Sequence, residues 1–313
     1  MGRSGHGAQP ALTLDPVGGV GPASMTHLRF TVRDVGKRSR AISERRSDRE
    51  AQQRADDRLR RTAATRGCLF CRRSDGGFTS REHVFPESIG NQELVLPPGV
   101  VCDRCNNTTL SKLDGSLCEF SPLGIRRTML GVPSKAGKVP TFRFSEGTIE
   151  YRAPTRGGQP GLVFTARPGK EILREVDRLP NGQIKLEWNG SGGRRLTPRY
   201  ASELSRSILK MALECAWIDH GPAMLESRFD HVRAAVLGER RNGCLIVGNR
   251  LNPTSNDGSL TYQFIQHQGA WRVMAWVQLL GLYLGTDSRL PTPLAAVPDS
   301  MTSITFTAAD CRG

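Results

Sequence analysis

Hydrophobic and polar positions alternate in two stretches of the central chain. "VPTFRFSEGTIEYRA" (139–153) switches with period two around a Glu-Gly step, which predicts a hairpin. "REVDRLPNGQIKLEWNG" (174–190) sets an Asn-Gly pair between alternating runs. That signal is stronger, because tight hairpin turns need residues that tolerate positive φ. "GGQPGLVF" and "SGGRR" read as loops. The period then changes to that of a helix. Leu204, Ile208, Met211, Ala212 and Cys215 share one face of a helix over Glu203–Trp217. Leu225, Phe229, Val232 and Val236 do so over Pro222–Leu237, with Pro222 at the start and Gly238 past the end. "CLIVGN", "LTYQFIQ", "WRVMAWVQLLGLYL" and "SITFTA" read as closing strands.

The first part of the chain lacks such periods. Residues 1–36 are rich in Gly, Pro and Ser and are expected to be disordered. Residues 37–66 carry 11 basic and 5 acidic side chains without Gly or Pro. They predict a solvated basic helix, serving as a nucleic-acid-binding arm or as a charged linker. Residues 67–120 hold paired cysteines, and 121–313 form a larger α+β domain whose own chemistry the pattern does not disclose.

Composition adds direction. Lysine plus arginine number 44 against 30 acids, a net charge of +14 over 313 residues. Such an excess favours polyanionic partners, nucleic acid first. The longest apolar run, Val273 to Leu284, is broken by Gln278 and falls short of the ~20 residues a bilayer helix needs, so no membrane partner is expected. The N-terminus lacks a secretory apolar region, which makes the cytoplasm the expected location. In a reducing compartment, paired cysteines indicate metal before disulfides.

Cys68 and Cys71 form one Cys-x-x-Cys pair; Cys102 and Cys105 form another. Each pair makes a knuckle whose sulfurs can reach one ion at about 2.3 Å. Two knuckles supply a closed tetrahedral Zn²⁺ site, structural because no position is left for water. Catalysis must come from elsewhere. The enclosed candidates are Glu82, His83, Asn91 and Asn106.

The combination "C-x-x-C … EHVFPESIGN … VVCDRCNN" resembles the HNH endonuclease family in its zinc-stapled, treble-clef ββα-metal form, over roughly residues 67–118. The resemblance implies an α+β protein with a ββα-metal module followed by a larger α+β domain. Zinc would clamp the hairpin to the helix, bringing His83 at the end of the first strand to Asn106 on the first helical turn. By the same resemblance, His83 is the general base and Glu82 binds a divalent cation. Asn106 gives a carbonyl oxygen to that cation, and Asn91 orients the base. Oxygen donors suit Mg²⁺ or Mn²⁺. The family often has histidine where Asn106 stands. Arg72, Arg73, Arg81 and Arg104, with Arg126 and Arg127 further on, are expected to meet phosphates.

Plainer roles stay open for these residues: an exposed acid for Glu82, a histidine donating to a backbone carbonyl for His83, a helix cap for Asn106. Asp114 reads as an exposed acid beside the stripe Leu110, Leu113 and Leu117. Cys215 and Cys244 read as buried small hydrophobes. The implied activity is hydrolysis of phosphodiester bonds in DNA. RNA as substrate, and a zinc module that binds nucleic acid without cutting it, are the alternatives. The C-terminal part would choose the target, recruit a partner or form a homodimer.

Overall fold

A computed structural model describes residues 25–31, 67–91, 94–134, 136–153, 161–170, 173–178, 184–188, 197–239, 246–249, 257–267, 270–280, 282–288 and 305–307. For 25–31, 173–178, 184–188, 246–249 and 305–307 only the backbone course is described. The basic segment 37–66, Cys244 and Cys311 lie outside the described residues.

The protein is α+β. Its largest sheet is antiparallel and five-stranded, in the order β1 (Met25–Thr31), β8 (Asp257–His267), β9 (Ala270–Leu279), β10 (Leu282–Asp287), β7 (Ile246–Asn249). In β8 and β9 alternate residues are buried: Leu260, Tyr262 and Phe264 in one, Trp271, Val273, Ala275 and Val277 in the other. That is the pattern of a sheet packed on one face. Two expectations change here. Met25–Thr31 is an edge strand, pairing in register with Asp257–Gln263. The alternation of Leu28 and Phe30 with His27 and Arg29 carries a strand period that the surrounding Gly- and Pro-rich sequence obscures. "WRVMAWVQLLGLYL" is two strands, β9 and β10, because Leu280 turns the chain with φ 49°.

Two smaller sheets come from the predicted hairpins. β2 (Phe142–Arg143) and β3 (Gly147–Arg152) pair around the Ser145–Glu146 turn, and β4 (Gly161–Ala166), read as loop from its glycines, adds a third strand. β5 (Leu173–Arg178) pairs β6 (Ile184–Trp188), joined by β11 (Thr305–Thr307).

Four helices complete the described chain. The first, α1, runs through Asp103–Cys105, a π-helical turn at Asn106–Leu110, and Ser111–Glu119. α2 is Ser121–Met129 and packs on β2 and β3. α3, Pro198–His220, starts with Thr197 accepting a hydrogen bond from the Tyr200 amide and with proline at its first position. α4 is Asp230–Leu237, closed by Gly238 at φ 84°. The first half of the expected second helix is instead two 3₁₀ turns, Gly221–Leu225 and Ser227–Phe229.

α3 positions the site. It contacts α1 and α4 and also strands β8, β9 and β10. It is therefore buried on most sides, including at Lys210 and Glu214. Hydrophobic residues from Cys68 to Leu123 share one continuous core with Tyr200–Val236 and Leu260–Leu284. No described helix is long and apolar enough to cross a membrane.

Candidate active site

The first cysteine knuckle is set by backbone. The Cys68 amide donates to Arg73 O and the Arg72 amide to Cys68 O, each at 2.9 Å. The turn needs Arg72 at φ 60°, and Gly67 at φ 89° because a Cβ there would strike the Arg72 carbonyl oxygen. The second knuckle opens α1. Cys102 is extended, and its sulfur accepts from the Cys105 amide at 3.4 Å as a helix cap. Cys68 Sγ accepts from the amides of Phe70 and Cys102, both at 3.4 Å.

All four sulfurs lie within 4.8 Å of one another, and Cys71 Sγ is 3.7 Å from Cys102 Sγ. Tetrahedral Zn–S bonds of about 2.3 Å put neighbouring sulfurs about 3.8 Å apart, so the cluster fits that ion. Without a cation the thiols cannot all ionise. The Cys105 hydrogen bond, against burial, pulls Cys68 down to about 5, while burial pushes Cys102 up to about 11. The interaction with Cys68, then burial, pushes Cys105 up as well. A divalent ion removes this conflict. The four cysteines are thus a metal site with the donor set of a structural zinc.

The helix start also holds the extended segment that carries the histidine, which makes a single β-bridge where a strand is expected. Asp103 accepts from the Thr79 and Ser80 amides at 2.9 and 2.7 Å and from both hydroxyls at 2.9 and 2.6 Å. Burial opposes ionisation of Asp103, but the bonds from Ser80 and Thr79 outweigh it and lower its pKa. One turn on, Asn106 Nδ2 donates to Arg81 O at 3.1 Å. Its Oδ1 accepts no hydrogen bond among the described residues. His83 pairs with Val95 as an isolated antiparallel bridge, flanked by Leu96 N to Glu82 O at 2.8 Å and Val84 N to Leu94 O at 3.0 Å. The His83 side chain is half-buried.

Asn91 is fully buried and clamps this arm. Its Nδ2 donates to Phe85 O and Leu94 O at 2.8 and 3.0 Å, and its Oδ1 accepts from the Leu94 amide at 3.0 Å. Pro97 and Pro98 follow the clamp in the connection to the second knuckle.

Glu82 lies where the sequence does not anticipate. In extended backbone, neighbouring side chains leave opposite faces, and Glu82 is 4% exposed. Lys210 of α3, with no exposure at all, places Nζ 2.5 Å from Glu82 Oε1 and donates to His83 O at 3.2 Å. Nζ is also 3.0 Å from Asp114 Oδ1 and 3.6 Å from Glu214 Oε2. Three carboxyl groups thus surround one ammonium. Burial opposes the charge on Lys210, yet Asp114, Glu214 and Glu82 raise its pKa well above the ordinary value. Burial raises Glu214, with Lys210 only partly offsetting it. Glu82 is committed to an ion pair, and Asp114, expected to be a free surface acid, joins the same cluster.

The arginines divide. Arg81 and Arg104 are exposed. Arg72 forms an ion pair with Asp230 at 3.1 Å, fastening the first knuckle to α4, and Arg73 pairs with Asp75 at 2.5 Å. Arg126 and Arg127, expected at the surface, are 7% and 8% exposed on α2, the helix that packs on β2 and β3. Lys210, Asp103 and Glu214 are the members that sequence reasoning missed. One signal for two of them exists: Lys210 and Glu214 stand four apart in an otherwise apolar stretch of the helix, "ILKMALECAW".

The HNH endonuclease family matches residues 68–119. No curated protein and no solved structure matches the chain. The match begins at the first zinc-knuckle cysteine, takes in the His83 arm, and ends with α1. Residues 68–119 thus form a module of the HNH endonuclease family.

Proposed function

We propose that this protein is an endonuclease that hydrolyses phosphodiester bonds in DNA, with His83 as general base. The observation that carries it is the tie between Asn106 and Arg81 O, which sets the first helical turn against the chain two residues before His83. A neutral imidazole accepts a proton from water near physiological pH. The clamp by Asn91 and the bonds from Lys210 and Asp103 fix the backbone on either side of it. Exposed Arg81 and Arg104 flank the site and suit contacts to the phosphate backbone. The net charge of +14 draws the same partner.

A divalent cation fits only in part. Asn106 Oδ1 is available as a donor, whereas Glu82 is held by Lys210. This donor set suits Mg²⁺ or Mn²⁺ that keeps its waters and takes further oxygens from a substrate phosphate. When bound, the ion supplies charge stabilisation at the phosphoryl group. Glu82 acts instead as a positioning residue through Lys210.

A plasmid-nicking assay with Mg²⁺ or Mn²⁺ tests this. Wild type should nick and His83→Ala should lose about 10²–10⁴-fold; equal rates would remove His83 from the mechanism. RNA and single-stranded DNA run beside the plasmid identify the substrate. The Glu82–Lys210 pair favours one competing function, nucleic-acid binding without cleavage. Salt-sensitive binding with no product under either cation would establish it.

A further inference from the structure

A cavity lies at the far end of α1. Cys118, which lines it, is 12 residues beyond Asn106, roughly 18 Å along a helix. This open cleft has a volume of about 470 Å³ between α2 and the first strands of the β2–β4 sheet, within the range of about 300–1,000 Å³ usual for small-molecule sites.

Its inner wall holds Arg127. This side chain is 8% exposed, and its Nε and Nη2 have no hydrogen-bond partner. Among the described residues no carboxylate forms an ion pair with it. Burial lowers its pKa, and the Cys118 thiol is the single group opposing that. A buried guanidinium without an acceptor destabilises the ligand-free fold. An anion entering the cavity beside Arg127 would relieve it once the side chain turns its N–H groups toward the opening. The facing wall is aromatic: Phe142 and Phe144 stack with centroids 6.1 Å apart and planes at 23°. Phe142 comes this close to α2 because position 124 is glycine; a Cβ there would enter the ring. At the mouth Arg143, Thr141 and Glu119 are exposed. A buried fork of N–H donors opposite phenyl rings is a donor set for a phosphate attached to a flat heterocycle.

We propose that this cavity binds a nucleotide, its phosphate on Arg127 and its base against Phe142 and Phe144. A free mononucleotide and the 5′-phosphorylated end of a DNA strand present the same chemistry. Calorimetric titration of the full-length, zinc-loaded protein with AMP, a 5′-phosphorylated hexamer and adenosine separates them. AMP or the hexamer should bind and adenosine should not. Arg127→Met should lower that affinity at least about tenfold while raising the ligand-free melting temperature. Arg143→Ala, exposed at the mouth, should weaken binding several-fold with the fold intact. AMP saturating the site identifies a free nucleotide as ligand; binding of the hexamer alone identifies a strand end. No binding by either, adenosine binding as tightly as AMP, or wild-type affinity in Arg127→Met overturns the proposal. Should Arg127→Met fail to fold, unchanged affinity in Arg143→Ala overturns it.

Discussion

Lys210 Nζ lies 2.5 Å from Glu82 Oε1, joining the middle of α3 to the residue before the site histidine. Both groups are buried, so neither is solvated if its partner is removed. Lys210→Met should cost about 3–5 kcal/mol, because it strands a buried carboxylate. Adding Glu82→Gln should restore part of that loss. Denaturant titration of the two single variants and the double measures the coupling; simple additivity would show that the pair does not interact.

Stability should respond to pH through Glu214. Burial raises its folded pKa, whereas the unfolded chain releases this proton near about 4.3. Above that pH the unfolded state gains by ionising first, so this group's effect on stability worsens as pH rises toward the folded pKa. Glu214→Gln removes the effect. The variant should melt higher than wild type at pH 8, and the gap should narrow toward pH 5. Melting curves at intervals across that range check it; a gap that widens on acidification would mean Glu214 is ionised in the fold.

Metal removal should open the module. The His83 arm meets the knuckles through short turns, and the thiols repel once ionised without a cation. Purified protein should carry about one zinc per chain, and a chelator should release it with loss of tertiary signal in the module. Cys102→Ser should also abolish zinc binding while keeping the cap of α1, because a serine hydroxyl accepts the same N-terminal amide hydrogen bond.

Asn91→Ala should cost about 2–3 kcal/mol, since it leaves the Phe85 carbonyl and the Leu94 amide without their buried partner. If the clamp positions the base, kcat should fall while KM for plasmid stays near wild type. Equal changes in both would mark a global effect on folding.

The zinc knuckles were legible because Cys-x-x-Cys spacing alone fixes where two sulfurs can point. The stretch that holds His83 and Asn106 was legible through the family motif around it. Glu82 was not, because its surroundings come from a helix more than a hundred residues away. Lys210 reads in sequence as one cation among 44 lysines and arginines. Only the packing of α3 between α1 and the large sheet shows that it has no solvent. The π-helical turn at Asn106–Leu110 follows from no pattern in "NNTTL". Arg126 and Arg127 looked like surface charge for the same reason: nothing local marks α2 as covered by a hairpin.

The Lys210 bond to His83 O spans 127 residues of chain. During synthesis at roughly 5–20 residues per second, the histidine leaves the ribosome about 6–25 s before the lysine that steadies it. A nascent chain therefore carries the histidine arm without its brace, and translation products interrupted before Lys210 keep that arm unsupported.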